Sequence, residues 1–236
     1  MQVHGTLYLL PVGLGECNLE DVLPKRNLDL IKTLTYFIAE NAKEARAFLK
    51  QCAYPEISRA QISLINQHTK LDELNSFLAP LLQGHHMGLM SDAGCPGIAD
   101  PGADIIKLAH QKGIKVVPLV GPSSIVLSIM ASGFNGQNFA FNGYLPIEKV
   151  ERCKRIKELE QICTKLKQAQ YFIETPYRNG NFFEDILKTL NGSTLLLVAT
   201  NISLSDECIQ VKPATAWKKI NTPDFYKKPT VFGIYV

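Results

Sequence analysis

MGLMSDAGCPGIADPGADIIKLAHQK, residues 87–112, joins a short apolar run, a loop rich in glycine and proline, and an amphipathic helical pattern. The run Met87 to Ser91 predicts a buried strand, and the apolar spacing in Ala103 to Lys112 predicts a helix that packs on the sheet. The loop between them, Asp92 to Gly102, holds three glycines and two prolines. Glycines allow close backbone approach and prolines restrict the remaining freedom, so this loop has a defined shape. The stretch therefore indicates an α/β protein.

The same alternation of strand and helix extends on both sides of this stretch in the first half of the chain. Apolar runs predict strands at Thr6 to Leu10, Thr35 to Glu40, Ile62 to Ile65 and Lys115 to Leu119, and amphipathic segments predict helices at Asn27 to Lys32, Ala42 to Cys52 and Leu71 to Gln83. Strands that alternate with helices at this pitch form a mostly parallel sheet with helices on both faces. The first half is therefore predicted to be a parallel-sheet domain.

The second half predicts another α/β unit with a different sheet. Helices are expected at Ser123 to Ser132, Val150 to Lys167 and Gly180 to Leu190, and strands at Phe139 to Leu145, Tyr171 to Glu174, Leu195 to Ala199, Ile209 to Val211 and Thr230 to Val236. The last strands follow one another without predicted helices, so this sheet should be mixed. We place the domain boundary near Val120, which gives domains 1–119 and 120–236.

Composition restricts the function classes only weakly. The 236 residues carry 25 basic and 22 acidic side chains, a formal charge of +3 that neither indicates nor excludes a nucleic-acid partner. The six cysteines form no CxxC pair and no Cys/His cluster, which predicts free thiols in a reducing compartment and no metal site. No stretch approaches the roughly 20 apolar residues of a membrane span, and no basic leader precedes the first strand. These features predict a cytoplasmic protein that does not enter a membrane.

Three loops carry candidate site residues, each with a structural alternative. Asp92 and Asp100 can accept hydrogen bonds from ribose hydroxyls or an ammonium group, although Asp100 can instead cap the next helix. Ser123 and Ser124 follow Gly121-Pro122 at a helix start that suits an anionic oxygen, or they form an ordinary cap and hinge. Glu174, Tyr177 and Arg178 follow a strand and can position an anionic or hydroxylated substrate, with Arg178 suited to phosphate. Alternatively, Glu174 pairs with Arg178 and Thr175-Pro176 starts the next helix.

The turn Pro11-Val12-Gly13-Leu14-Gly15 has the start of a dinucleotide-binding pattern but not its completion. The third glycine of GxGxxG is missing, and Glu16-Cys17-Asn18 does not read as a helix start. We interpret this segment as a tight turn under a binding cleft.

Taken together and in order, these segments resemble the tetrapyrrole methylase superfamily. The similarity is greatest to its bacterial branch that methylates a cytidine ribose 2′-hydroxyl in the 16S RNA of the small ribosomal subunit. The motifs that carry the resemblance are Gly5-Thr6-Leu7-Tyr8, Asn18-Leu19-Glu20-Asp21, Ala39-Glu40-Asn41 with Arg46 and Leu49, Ser91 to Gly102, Gly121-Pro122-Ser123-Ser124, Phe139 to Pro146, and Glu174 to Arg178.

The resemblance implies a homodimer of two-domain subunits that bind S-adenosylmethionine in the cleft between the domains. By this resemblance, the residues that would line the cofactor are Pro11, Asp92, Ala93, Gly94, Ser123, Ser124, Tyr144, Leu145, Ala199, Thr200 and Asn201. For a ribose hydroxyl, the candidate general bases are Asp92, Glu174 and Tyr177, and Arg46 and Arg178 are the candidate substrate-binding residues. The expected substrate is ribosomal RNA or the 30S subunit.

Three departures from the RNA branch keep other functions open. Glu40-Asn41-Ala42-Lys43 replaces that branch's Glu-Asp-Thr-Arg, and Ala199 to Ser203 replaces its Arg-Glu-Leu-Thr-Lys. The sequence also ends at Val236, without the small extra C-terminal domain of many members. The alternatives are methylation of a tetrapyrrole or another small molecule, and cofactor binding without catalysis.

Overall fold

The chain folds into two compact units, Met1–Ser123 and Ser124–Val236. The computed structural model describes residues 4–66, 68–225 and 227–236. Each unit contains a five-stranded sheet and helices. The first sheet is entirely parallel and the second is mixed, so the predicted fold class is confirmed.

The sheet of the first unit has the strand order β3-β2-β4-β1-β5. Its strands are β1 (Thr6–Leu10), β2 (Tyr36–Ala39), β3 (Gln61–Leu64), β4 (Met87–Met90) and β5 (Lys115–Pro118). All five predicted runs form strands, and most differ from the prediction by one residue at an end. The central strands β1 and β4 are paired in register from Leu7 opposite Met87 to Leu10 opposite Met90.

Six helices connect these strands along the described part of the first unit. They are α1 (Leu19–Val22), α2 (Lys25–Ile31), α3 (Ala42–Gln51), α4 (Leu71–Phe77), α5 (Ala79–Leu82) and α6 (Ala103–Gln111), with a 3₁₀ turn at Ile57–Arg59. The single helix predicted for Leu71 to Gln83 is wrong, because Leu78 separates α4 from α5. Pro80 explains the break: inside a continuous helix its ring would clash with a carbonyl one turn earlier, whereas the first turn of α5 accepts it.

The helices cover both faces of the first sheet. Leu10 and Phe37 belong to a buried cluster with residues of α1, α2 and α3, whereas Leu7 and Ile38 belong to a cluster with residues of α4, α5 and α6. Successive strand residues point to opposite faces, so β1, β2 and β4 supply side chains to both clusters. The near-continuous apolar runs in the sequence follow from this double burial.

The second unit has the strand order β6-β7-β10-β8-β9. Its strands are β6 (Phe139–Tyr144), β7 (Ala169–Glu174), β8 (Leu195–Thr200), β9 (Cys208–Pro213) and β10 (Thr230–Tyr235), and its helices are α7 (Ser124–Ser132), α8 (Lys149–Leu166), α9 (Asn179–Thr189) and α10 (Ala214–Trp217). β6 and β7 are parallel, and the other pairs are antiparallel.

The prediction of terminal strands without intervening helices is wrong, because α10 lies between β9 and β10. This helix has four residues, too few for apolar periodicity to appear in the sequence. Tertiary packing explains it: Trp217 is buried, packs edge-on against Phe183, and donates from Nε1 to the Leu196 carbonyl at 2.9 Å. In the described part of the chain, no helix combines the length and apolar character that a membrane span requires.

Candidate functional site

The site begins where β1 and β4 end side by side in the first sheet. The chain leaves β1 toward α1 and α2, and it leaves β4 toward α6, which packs in the cluster on the opposite face. Neighbouring parallel strands whose connections diverge in this way open a crevice at their carboxyl ends. A ligand site is therefore expected at this edge of the sheet.

Three loops of the first unit pack together at this edge. The Val12 N–H donates to the Gly94 carbonyl at 2.9 Å, which joins the turn after β1 to the loop after β4. The Cys95 thiol lies 3.4 Å from the Pro122 carbonyl, and Asn27 Nδ2 donates to the Val120 carbonyl at 2.7 Å. These contacts connect the loops after β1, β4 and β5 into one support, which forms the base of the candidate site.

A cavity of about 370 Å³ opens beside this support. Its walls are residues 12–16 of the first turn, Glu44, Phe48 and Gln51 on α3, and residues 90–93 at the end of β4. Small-molecule sites commonly occupy about 300–1,000 Å³, so the cavity is large enough to be a binding site. Its mixed wall suits a ligand with an apolar body and several polar groups.

Three carboxyl groups interact at this edge: Glu40 directly after β2, and Asp92 and Asp100 in the loop after β4. Burial, followed by the charges of Asp100 and Asp92, raises the pKa of Glu40 to about 7, although the backbone N–H of Asp92 partly opposes the shift. Burial and the charge of Asp92 raise the pKa of Asp100 to about 6. Burial and the charge of Glu44 raise the pKa of Asp92. Carboxyl groups with raised pKa values beside a cavity are typical of a functional site.

Glu40 was not a candidate in the sequence analysis. Its Oε1 is buried and has no hydrogen-bond partner among the described residues. The signal in the sequence was its place immediately after a buried strand, at the edge where parallel sheets bind ligands. A carboxyl group with pKa near neutrality can accept a proton at physiological pH.

The interpretation of Asp100 as a helix cap is wrong. α6 begins at Ala103, its N-cap position is Gly102, and no side chain caps the helix. Asp100 instead faces the acidic cluster and lines a neighbouring cavity of about 340 Å³ with Asn66 and Thr69. The prediction that Glu16-Cys17-Asn18 does not start a helix is also wrong, because the Asn18 side chain caps the short helix α1.

The structure brings together most of the first-unit residues predicted for the cofactor. Asp92 and Ala93 line the 370 Å³ cavity, and Gly94 is bonded to the first turn next to Pro11. Ser123 closes the first unit, one residue after Pro122. Arg46 is exposed on α3 and is not part of the cavity wall.

The predicted residues of the second unit lie at strand ends but differ in accessibility. Tyr144 at the end of β6 is exposed, whereas the Leu145 side chain is buried in the core, so Leu145 presents only its backbone. Ala199 and Thr200 are buried within β8, and the amide of Asn201 donates to Asp206 at 2.9 Å. Ser124 is the first residue of α7.

Glu174 forms an ion pair with Arg178, which was the structural alternative to a role in substrate binding. Its side chain is 1% exposed, and Oε1 accepts from Arg178 Nη2 at 2.7 Å. The same oxygen accepts the backbone N–H of Thr175 at 2.6 Å. Tyr177 is 79% exposed. Within the described ranges, no group of three or more histidine, cysteine or acidic side chains could hold a metal ion, and the six cysteines are free thiols.

Solved structures of methyltransferases share this fold. The methyltransferase CobJ has a TM-score of 0.65 at 16% identity, covering 98% of this chain and 94% of its own. The cobalt precorrin-4 methyltransferase CbiF has a TM-score of 0.61 at 13% identity with the same coverage. The chain therefore has the same fold as these two methyltransferases.

Sequence comparison identifies a narrower group, although no family model matches the chain. Ribosomal RNA small subunit methyltransferase I of Vibrio cholerae is 30% identical over 207 residues, which cover 88% of this chain and 68% of that protein. The protein of the same name from Streptococcus pyogenes is 32% identical over 206 residues, 87% of this chain and 68% of its own length. The chain belongs to the ribosomal RNA small subunit methyltransferase I family and is a methyltransferase.

Proposed function

We propose that this protein transfers a methyl group from S-adenosylmethionine to a ribose 2′-hydroxyl of small-subunit ribosomal RNA. The carrying observation is the acidic cluster of Glu40, Asp92 and Asp100 beside a cavity at the carboxyl ends of β1 and β4. Family membership favours small-subunit ribosomal RNA as the methyl acceptor, because the relatives are named for that RNA. The proposal includes a cytoplasmic homodimer, as the resemblance implies.

Two features of the first unit support S-adenosylmethionine: a cavity within the usual size range of small-molecule sites, and carboxyl groups in its wall that can meet the cationic and hydroxyl groups of the cofactor. The cofactor carries a sulfonium, an ammonium and two ribose hydroxyls, and the cavity wall offers the carboxyl groups of Glu16, Glu44 and Asp92 to such groups. S-adenosylmethionine supplies an activated methyl group when bound. Pro11 and residues 92–94 would hold it from the first unit together with Ser123. The residues that would contribute from the second unit are Ser124, Tyr144, Leu145, Ala199, Thr200 and Asn201.

A ribose hydroxyl has a pKa far above neutrality, so its reaction benefits from a group that accepts its proton. Glu40 and Asp92 are the strongest candidates, because their raised pKa values make both carboxylates better proton acceptors than ordinary acids. Glu174 has its Oε1 engaged by Arg178 and by a backbone N–H, and Tyr177 is exposed. We keep Glu174 and Tyr177 as secondary candidates, and Arg46 and Arg178 as candidates for contacts to RNA phosphates.

The direct test is methyl transfer to small-subunit RNA purified from cells that lack the modification. We expect incorporation of labelled methyl, and nuclease digestion followed by mass spectrometry should recover a 2′-O-methylated nucleoside. Naked RNA and intact 30S subunits should be tried in parallel. Absence of incorporation into either substrate by protein that binds S-adenosylhomocysteine would contradict the RNA proposal.

The same assay separates the two alternatives. Labelled methyl on a tetrapyrrole or another small molecule, with none on RNA, would identify the small-molecule reaction. Cofactor binding without transfer to any acceptor would identify a protein that binds the cofactor without catalysis. The fold is shared with enzymes that act on precorrins, so a tetrapyrrole belongs in the panel.

A further inference from the structure

Arg152 lies in the first turn of α8 and connects two parts of the second unit. Its Nε and Nη2 donate to Asp185 Oδ2 on α9 at 3.2 and 2.5 Å. Its Nη1 donates to the Pro146 carbonyl at 3.3 Å and to the Ile147 carbonyl. One guanidinium therefore joins a carboxylate to the backbone of the loop that follows β6.

The ion pair is buried and stays charged. Arg152 is 9% exposed and Asp185 is 4% exposed. Burial alone would raise the pKa of Asp185, but the hydrogen bonds and charge of Arg152, together with Lys149, outweigh burial and lower it. Lys149 Nζ lies 3.4 Å from the second carboxylate oxygen. Asp185 therefore fixes the orientation of the guanidinium plane.

The loop has little apolar anchorage of its own beyond its first residue. Leu145 is buried in the core, but Ile147 and Val150 are among the most exposed large apolar side chains of the described residues. The backbone path of 146–147 is thus set by the Arg152 hydrogen bonds. Tyr144 and Leu145, which the proposed function places at the cofactor, immediately precede this path.

We infer that Arg152 and Asp185 form a positioning pair that holds the backbone after β6 in the conformation that binds S-adenosylmethionine. The inference rests on the proposed function, because it assigns a purpose to a loop that the proposal places at the cofactor. Neither residue is assigned a contact with the cofactor. A buried guanidinium needs partners for its remaining N–H groups, and here those partners are the Pro146 and Ile147 carbonyls, so the pair and the loop backbone hold each other in place.

Arg152→Lys is the most informative substitution. Lysine keeps the positive charge beside Asp185, but it lacks the planar fork that reaches a carboxylate and two carbonyls together. If the loop then occupies its binding conformation about one tenth of the time, the apparent affinity falls roughly tenfold. Glu160→Gln is the matched control: Glu160 lies on the same helix, is buried, and accepts from Asn191 and Thr194 at the end of α9 and the turn before β8.

The experiment measures three quantities on the full chain: the melting temperature, the affinity for S-adenosylhomocysteine by calorimetry, and amide hydrogen exchange without cofactor. We expect both variants to lower the melting temperature by several degrees. Only Arg152→Lys should weaken binding, by roughly tenfold, and only it should accelerate exchange at residues 147–149. Asp185→Asn should reproduce both effects.

Three results overturn the inference. Unchanged affinity in Arg152→Lys, or an equal loss in Glu160→Gln, would reduce the pair to a structural role. Failure of the wild-type protein to bind S-adenosylhomocysteine would overturn the proposed function, and the inference with it. The two failures are distinguishable because the first appears only in the variants and the second appears in the wild type.

Discussion

Glu40→Gln should make the protein more stable above neutral pH and much less active. The Glu40 carboxyl has a pKa of about 7, raised from a usual value of 4.5 mainly by burial. Below pH 4.5 the carboxyl group is protonated in both the folded and the unfolded chain, so it does not lower the free energy of unfolding. Between 4.5 and 7 the unfolded chain releases the proton first, so stability falls as pH rises, and above 7 the full cost remains. Glutamine removes that cost.

The expected gain is roughly 1–2 kcal/mol at pH 8 and none at pH 4, after discounting the shift for partial exposure. Urea denaturation of variant and wild type at both pH values measures it. Glu44→Gln is the control, because Glu44 lines the cavity beside the acidic cluster but is exposed on α3. Equal stability of Glu40→Gln and wild type at pH 8 would show that the folded chain does not disfavour the Glu40 carboxylate.

The activity of Glu40→Gln should fall by about 10²-fold if Glu40 takes the proton from the ribose hydroxyl that receives the methyl group. Its affinity for S-adenosylhomocysteine should stay within about threefold of wild type, since glutamine keeps the shape and a hydrogen-bonding oxygen. The wild-type rate should rise through pH 7, and the variant should lose that dependence. A variant with the wild-type rate and the same pH dependence would exclude Glu40 as the base.

Gly121→Ala should destabilise the protein and impair cofactor binding together. A Cβ at Gly121 would lie 2.2 Å from Pro11 Cβ and 2.7 Å from Pro11 Cγ. A proline ring cannot turn away as a long side chain can, so the first turn or the loop after β5 must move. Overpacking of this kind typically costs about 1–3 kcal/mol. Because Pro11 and Ser123 belong to the proposed cofactor site, the same movement should weaken binding.

Thermal unfolding and calorimetry with S-adenosylhomocysteine measure both effects of Gly121→Ala. Gly180→Ala is the control, because nothing lies within 4 Å of the added Cβ. Alanine should be neutral or slightly stabilising there, since it is the better helix former within α9. Wild-type stability and affinity in Gly121→Ala would mean that the two loops do not depend on their close approach.

The sheets were predictable from the sequence because their signal is local. Buried strands such as Met87–Met90 are apolar on both faces, and the helices between them repeat the apolar spacing of one packed face. The break at Leu78 was readable from Pro80. The short helix Ala214–Trp217 was not, because the contacts of Trp217 with β8 and α9 decide it and they are distant in sequence.

The site was only partly predictable, because several of its residues are brought together by contacts that are distant in sequence. The glycines, prolines and acids of the loop after β4 indicated a binding loop, and Asp92 of that loop lines a cavity. Glu40 lies about fifty residues earlier, and its significance depends on the pairing of β2 with β4, which brings it to Asp92. The accessibility of Leu145 and the ion pair of Glu174 likewise follow from packing within the second unit.

Calorimetric titration of the wild-type protein and of Asp92→Ala with S-adenosylhomocysteine tests most directly whether the acidic edge of the first sheet holds the cofactor. We predict measurable binding to the wild type and at least roughly tenfold weaker binding to the variant, the loss expected when a charged hydrogen-bond partner of about 1.5–3 kcal/mol is removed. Circular dichroism should show that the variant is folded. Equal affinity in both proteins would contradict the assignment of Asp92, and no binding to the wild type would contradict the cofactor site itself.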